Sequence, residues 1–200
     1  MLRVNKASSV VIVLIVISIG LGYVMYSSGL DKPGMEESST IAIVDPQRVT
    51  VGDRAPDFKA TDIYGNQVSL SSLKGKPIII WFMASWCPSC IYMANTISRA
   101  TRGYDVVVLV VDMWSREFME NVGILGKPGY PPPDTREKLR IFLENYGEKG
   151  WIPILDNGEL VKLYGVRYID TVYVINEDGI VVFGGGNIAT VDSLREAIGE

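Results

Sequence analysis

The chain has 200 residues, 48% of them apolar and 21% charged, with a net charge of −4. It holds no histidine and two cysteines, which excludes Ser-His-Asp and Cys-His hydrolases, HExxH metalloenzymes, and four-cysteine zinc or iron–sulfur sites built from one chain. The acidic balance, with no Lys/Arg cluster longer than two, is the wrong sign for a nucleic-acid surface.

Apolar character is concentrated at one end. Residues 1–6 carry Arg3 and Lys6, and residues 7–30 contain no charge at all. As a helix this run spans about 36 Å, longer than the ~30 Å hydrocarbon core of a bilayer. Tyr23 and Tyr26 fall near its outer end, and Asp31, Glu36 and Glu37 follow it. Positive charge before the span predicts residues 1–6 in the cytoplasm, an uncleaved signal anchor over 7–30 and everything after it outside the cytoplasm. A cleaved signal peptide is the competing reading, but such a peptide has an apolar region of only ~7–15 residues and a small-x-small cleavage site. Residues 31–48, rich in Gly, Ser, Pro and charge, read as a linker. Within them Ile41–Val44 is a strand or a tether, and a domain over 49–200 follows.

Along that domain the punctuation is regular. Pro56–Asp62, the turn at Tyr64-Gly-Asn66 and Val68–Leu70 predict a short hairpin. Ile78–Met83 is apolar at every position, as in a central strand buried on both faces. Residues 88–101 suit a helix, and Asp105–Asp112 a second buried strand, parallel to the first because a single helix connects them. In Thr135–Tyr146, Leu139, Ile141, Phe142, Leu143 and Tyr146 repeat at helical spacing behind an N-cap at Thr135. Trp151–Leu155 reads as an edge strand because it contains Pro153. Glu159–Tyr164 is a short helix, Thr171–Ile175 and Ile180–Phe183 are a hairpin about Asn176–Gly179, and Val191–Ile198 is a final helix. The order predicts an α/β domain with a mixed central sheet and flanking helices.

The chemistry points to Trp86-Cys87-Pro88-Ser89-Cys90. A CxxC that follows a buried strand and opens a helix places two thiols at the first helical turn. There the free amides and the helix dipole favour a thiolate on Cys87. Cys87 is expected to be exposed and nucleophilic, and Cys90 to be the buried thiol that resolves a mixed disulfide. Pro88 suits the first turn, and Ser89 is among the intervening residues that tune the redox potential. A zinc half-site would need further soft ligands. A structural disulfide closing so small a loop would constrain the unfolded chain little.

The chain resembles the thioredoxin-like superfamily and, within it, the membrane-anchored TlpA/ResA-like group related to AhpC/TSA redoxins. The resemblance runs from Val51 to Gly199. It rests on Val51-Gly-Asp-Arg-Ala-Pro-Asp-Phe58, Leu73-Lys-Gly-Lys-Pro77, Ala84-Ser-Trp-Cys-Pro-Ser-Cys90, Leu163-Tyr-Gly-Val166 and the hairpin through Gly179. It implies a thioredoxin-like fold and thiol–disulfide exchange with client proteins outside the cytoplasm, served by a membrane or extracytoplasmic redox partner, with no cofactor and no metal. The peroxiredoxin pattern Pro-x-x-x-Thr-x-x-Cys is not met, since Ile80 and Ala84 stand at its proline and threonine. Three positions depart from the group's pattern. Met93 stands where a glutamate is common, Trp81 where thioredoxin has a buried aspartate, and Asp170 where a cis-proline precedes Thr171.

Asp170 is therefore expected in a trans or strained peptide. If it approaches Cys87 it should raise that thiol's pKa and act as its proton acceptor. The long segment 113–134 is expected at the same sheet edge as Cys87, where Trp114, Phe118, Leu125, Tyr130 and Pro131–Pro133 either line a client-binding wall or cover ordinary core. Two functions remain open at this point: a thiol–disulfide oxidoreductase, or a membrane-tethered binding module whose disulfide is structural.

Overall fold

The computed structural model describes residues 48–184 and 188–199. Residues 1–6, the anchor expected over 7–30 and the linker up to residue 47 lie outside the described residues, and among the described ones no helix is long and apolar enough to cross a membrane.

A hairpin of β1 (Lys59–Thr61) and β2 (Gln67–Ser69) opens the domain, and a 3-10 turn at Leu70–Leu73 leads into β3 (Ile78–Met83). There follow α1 (Pro88–Thr101), β4 (Val107–Asp112), α2 (Arg116–Asn121), α3 (Arg136–Tyr146), β5 (Ile152–Leu155) and α4 (Glu159–Leu163). The chain closes with β6 (Thr171–Ile175), β7 (Val181–Phe183) and α5 (Val191–Ile198). The main sheet has the order β5-β4-β3-β6-β7. β3 runs parallel to β4 and antiparallel to β6, β5 parallel to β4, and β7 antiparallel to β6. The expected mixed sheet and parallel β3–β4 pair are both present.

β3 sits at the centre because all six of its side chains are buried, which only a strand covered on both faces achieves. Its alternate residues feed two cores. Ile79, Trp81 and Met83 pack with Ala94 and Ile97 of α1, Leu139 and Phe142 of α3, and Leu194 and Ile198 of α5. Ile78, Ile80 and Phe82 pack on the other face with Phe58, Leu160, Tyr164 and Tyr173. Each such large side chain stabilises the fold by roughly 1.5–3 kcal/mol through burial.

The turns are built from side-chain acceptors. Asp62 takes the amides of Tyr64 and Asn66 at 2.9 and 2.8 Å, and Asn176 takes those of Asp178 and Ile180 at 3.1 and 2.9 Å. Pro153 lies on the edge strand as expected, and its carbonyl receives the amide of Ile63 at 3.0 Å, so the hairpin's turn covers that edge. Thr135 caps α3 by accepting from the Lys138 amide at 3.2 Å.

Some expectations change. The second strand begins at Val107, because Asp105 stays exposed and pairs with Lys76 at 2.7 Å. Segment 113–134 contains the short helix α2, whose Met119 is buried. In α3 only Leu139 and Phe142 are buried, whereas Ile141 and Tyr146 of the same apolar repeat are exposed, since the sheet covers one stripe of the helix. Leu139→Ala is therefore expected to cost about 2–5 kcal/mol and Ile141→Ala no more than about 0.5 kcal/mol, read from denaturant midpoints.

Candidate active site

β3 delivers the chain to the site. After Met83 comes buried Ala84, whose carbonyl receives the amide of Cys87 at 3.1 Å, closing a tight turn. Cys87 is the N-cap of α1, and Pro88 occupies its first turn, where a missing N–H leaves no helix bond unmade. The amide of Cys90 then returns to the Cys87 carbonyl at 3.2 Å. Both cysteines are free thiols. Cys90 is fully buried, as expected. Cys87 is not exposed as expected but only 7% accessible, because it packs into the same cluster as Met83 and Trp114, leaving Trp86, Pro88 and Ser89 at the surface. Ser89 Oγ lies 3.1 Å from Cys87 Sγ.

Asp170 completes the group. One oxygen of its carboxylate and the two sulfurs all lie within 4.8 Å of one another. Two bonds to β3 hold the residue. Its amide donates to the Phe82 carbonyl at 2.8 Å, and its Oδ1 accepts from Trp81 Nε1 at 3.1 Å. No described peptide is cis, and Asp170 is the one non-glycine among the described residues with positive φ, at 68°. That left-handed conformation costs an L-residue roughly 1–2 kcal/mol, and Asp and Asn tolerate it best outside glycine. The peptide is thus trans and the backbone strained. Thr171, which follows Asp170, opens β6. Its hydroxyl donates to the Tyr168 carbonyl at 2.7 Å and closes the loop that presents Asp170.

The electrostatic effect of Asp170 falls on Cys90. Burial pushes the Cys90 thiol above the usual range, its hydrogen bond with Cys87 and the nearby Asp170 charge add to this, and a backbone hydrogen bond from Ala84 opposes them. As a donor set, two thiols and one carboxylate fall one short of the four ligands of a closed zinc site.

Segment 113–134 lies at the thiol edge. Trp114 meets Trp86 edge-to-face at 5.1 Å, stacks with Tyr130 at 6.4 Å and donates through Nε1 to the Pro131 carbonyl at 3.1 Å. Phe118 tilts against Trp114 at 6.3 Å, and Leu125 packs on the core cluster. Trp86 and Tyr130 remain 39% and 49% exposed, an aromatic surface next to Cys87.

Sequence reasoning missed what holds that surface. Asp112, at the end of β4, and Asp134, at the end of the segment, are both buried. Asp134 Oδ2 accepts the amide of Ser85 at 2.8 Å, and Asp112 Oδ1 accepts that of Trp114 at 2.9 Å. Lys138 Nζ stands 3.6 Å from Asp134 Oδ1. Burial first, and then the Asp134 charge, push the Asp112 carboxyl well above the usual range. An aspartate closing an apolar strand was a visible signal for Asp112, but its partner is set by tertiary structure.

The fold and the paired thiols define a thioredoxin-like redox protein. The chain belongs to the AhpC/TSA family, whose model matches residues 51–183, and it is a ResA/TlpA-like redoxin and an oxidoreductase. The thiol-disulfide oxidoreductase ResA of Bacillus cereus is 24% identical over 200 residues, covering 98% of this chain and 96% of its own. ResA of Bacillus subtilis is 24% identical over 175 residues, covering 85% and 79%. The crystal structure of a thioredoxin-like protein from Aeropyrum pernix matches with a TM-score of 0.66 at 40% identity, covering 71% of this chain and 88% of that one.

The acidic pair makes a pH prediction. A buried carboxyl whose folded pKa is raised binds its proton more tightly than in the unfolded chain. Its contribution to stability is therefore present below the unfolded value and is lost as pH rises toward the folded one. Urea midpoints of the parent should fall as pH rises above the ordinary carboxyl range of about 4, and Asp112→Asn, which keeps an oxygen for the Trp114 amide, should lessen the fall. An unchanged fall would place its source elsewhere.

Proposed function

We propose that this protein is a thiol–disulfide oxidoreductase tethered to the cell membrane, with Cys87 as nucleophile and Cys90 as resolving thiol. Residues 1–6 lie in the cytoplasm in this reading, 7–30 span the membrane, 31–48 link, and 49–200 work outside. The observation that carries the chemistry is the placement of Cys87 at the N-cap of a 14-residue helix with Cys90 one turn on. The positive end of the helix dipole favours a sulfur anion at that position. The Cys87 thiolate attacks a client disulfide, the client's first sulfur leaves, and a mixed disulfide forms. Cys90 then attacks Cys87 Sγ and releases the client's second sulfur. The client gains two electrons and two protons, and the Cys87–Cys90 pair becomes a disulfide that a membrane or extracytoplasmic partner reduces. Run backwards, the same steps oxidise a client dithiol.

Trp86 and Tyr130, both packed on buried Trp114, provide the surface on which an extended client segment lies. Support for the tether is the uncharged run 7–30, with Arg3 and Lys6 before it.

Cys90→Ser should accumulate a mixed disulfide with a disulfide-bonded or scrambled client protein, visible on non-reducing gels, and Cys87→Ser should not. Full activity of the doubly substituted protein in an insulin-reduction assay would overturn the catalytic reading. Tyr130→Ala should slow exchange with a peptide disulfide by about tenfold, which corresponds to ~1.4 kcal/mol of lost contact, while leaving exchange with a small disulfide nearly unchanged. Equal slowing of both would remove the aromatic surface from the account. The full chain should resist alkaline extraction from membranes, and its release with peripheral proteins would overturn the tether.

A further inference from the structure

Trp81 and Asp170 stand at two positions where the chain departs from its group, one on the central strand and one in the loop before β6. In the folded molecule they touch. The Trp81 indole donates to Asp170 Oδ1 at 3.1 Å, and the carboxylate lies within 4.8 Å of both sulfurs. We infer that Asp170 is the proton acceptor for Cys90 in the resolving step, and that Trp81 is the positioning residue that holds it there.

This inference rests on the reading of Cys87 and Cys90 as a redox pair. Cys90 is fully buried, so bulk water does not reach its thiol, and a base for it must be built into the fold. The two positions where the group carries an acid do not supply one here, since Met93 has no basic atom and the indole of Trp81 only donates. A carboxylate accepts several hydrogen bonds, so the indole bond leaves capacity for the thiol proton. The Asp170 amide bond to Phe82 at 2.8 Å fixes the same residue through its backbone, which accounts for a left-handed aspartate being kept at this point.

Behind the carboxylate is a cavity of about 290 Å³ lined by Met93, Asp170, Arg48, Arg167, Tyr168 and Ile188. Tyr168 and Ile188 are largely exposed, so the cavity borders solvent and offers the proton a way out. The titratable or charged groups around the Asp170–Cys90 pair are thus Cys87 on α1 and Arg48, Arg167 and Tyr168 about the cavity, with the neutral indole on β3.

The step balances. With Cys87 in a mixed disulfide, the Cys90 proton passes to the Asp170 carboxylate and the Cys90 thiolate attacks Cys87 Sγ. The bond between Cys87 and the client sulfur breaks, and the client leaves as a thiolate. Asp170 then gives up its proton through the cavity or to the departing sulfur. The dithiol is oxidised by two electrons and the client disulfide is reduced by two. The raised pKa of Cys90 makes this assistance necessary, because little of the thiol ionises unaided near neutral pH.

The two steps separate in a stopped-flow reaction of the full chain with a chromogenic aryl disulfide. Attack by Cys87 releases one coloured thiolate, and resolution by Cys90 releases the second. Asp170→Asn keeps a residue that tolerates positive φ and an oxygen for the indole. It should leave the first phase within about twofold and slow the second by about a hundredfold near neutral pH. The slowed phase should rise with hydroxide over the range where the parent levels off. Trp81→Phe should slow only the second phase, by about tenfold, if the indole positions the base. A second phase as fast as or faster than the parent's in Asp170→Asn would overturn the inference, since removing mere charge repulsion from Cys90 should speed resolution. That result would leave the redox pair standing. A parent with no first phase, or one that survives Cys87→Ser, would instead defeat the redox reading itself. An unchanged second phase in Trp81→Phe would remove the indole's role.

Discussion

Burial of β3 on both faces is the constraint on which the rest depends. A strand with no solvent-facing side must have its backbone bonded on both edges, and β4 and β6 supply those bonds, one parallel and one antiparallel. The parallel partner requires a crossover helix, and that helix is α1. The turn from β3 into α1 is where Cys87 and Cys90 sit. The antiparallel partner brings the loop before β6 to the same end of the strand, and with it Asp170. Redox chemistry is thus assembled by the sheet order itself, with each of the strand's neighbours bringing a part of the site.

Two carboxylate arrangements then shape that end of the sheet, and they do different work. Asp112 and Asp134 are buried acceptors that tie down the start and end of segment 113–134, Asp112 through the amide of Trp114 and Asp134 through that of Ser85, just ahead of the cysteines. Loss of either acceptor would leave a backbone amide, that of Trp114 or of Ser85, without its carboxylate partner. Asp170 instead faces the sulfurs, and it is held by an indole donor in a backbone conformation that aspartate tolerates. The first arrangement fixes the aromatic surface beside Cys87, and the second sets the environment of Cys90.

Much of this was legible in the chain, for reasons that can be traced residue by residue. The uninterrupted run Ile78–Met83 could only be a central strand, and Pro88 behind Cys87 marked the helix start, so β3 and α1 appear with the expected bounds. Gly65 and Gly179, both at positive φ, marked the hairpin turns. The burial of Cys87 depends on a core cluster whose members, Trp114 and Val172 among them, are remote in sequence, so no local pattern encodes it. The apolar repeat of Thr135–Tyr146 marks the helix but not the width of the surface that covers it, so Ile141 belongs to the repeat and is exposed. The Asp112–Asp134 contact joins residues from opposite ends of a long segment, and no local pattern encodes it. Trp81 and Asp170 could each be seen as departures from the group, but only the antiparallel register of β3 and β6 makes them neighbours.

The most direct measurement is a redox titration of the full chain against a thiol–disulfide buffer, followed by tryptophan fluorescence and by counting reactive thiols. Trp81 bonds to Asp170 beside the sulfurs, and Trp86 adjoins Cys87, so emission should report the state of the pair. The account predicts one two-electron transition, with about 30 mV per tenfold change in the ratio of oxidised to reduced protein, independent of protein concentration and abolished by Cys87→Ser or Cys90→Ser. Thiols that do not titrate, or a transition that moves with protein concentration, as pairing between chains requires, would contradict it.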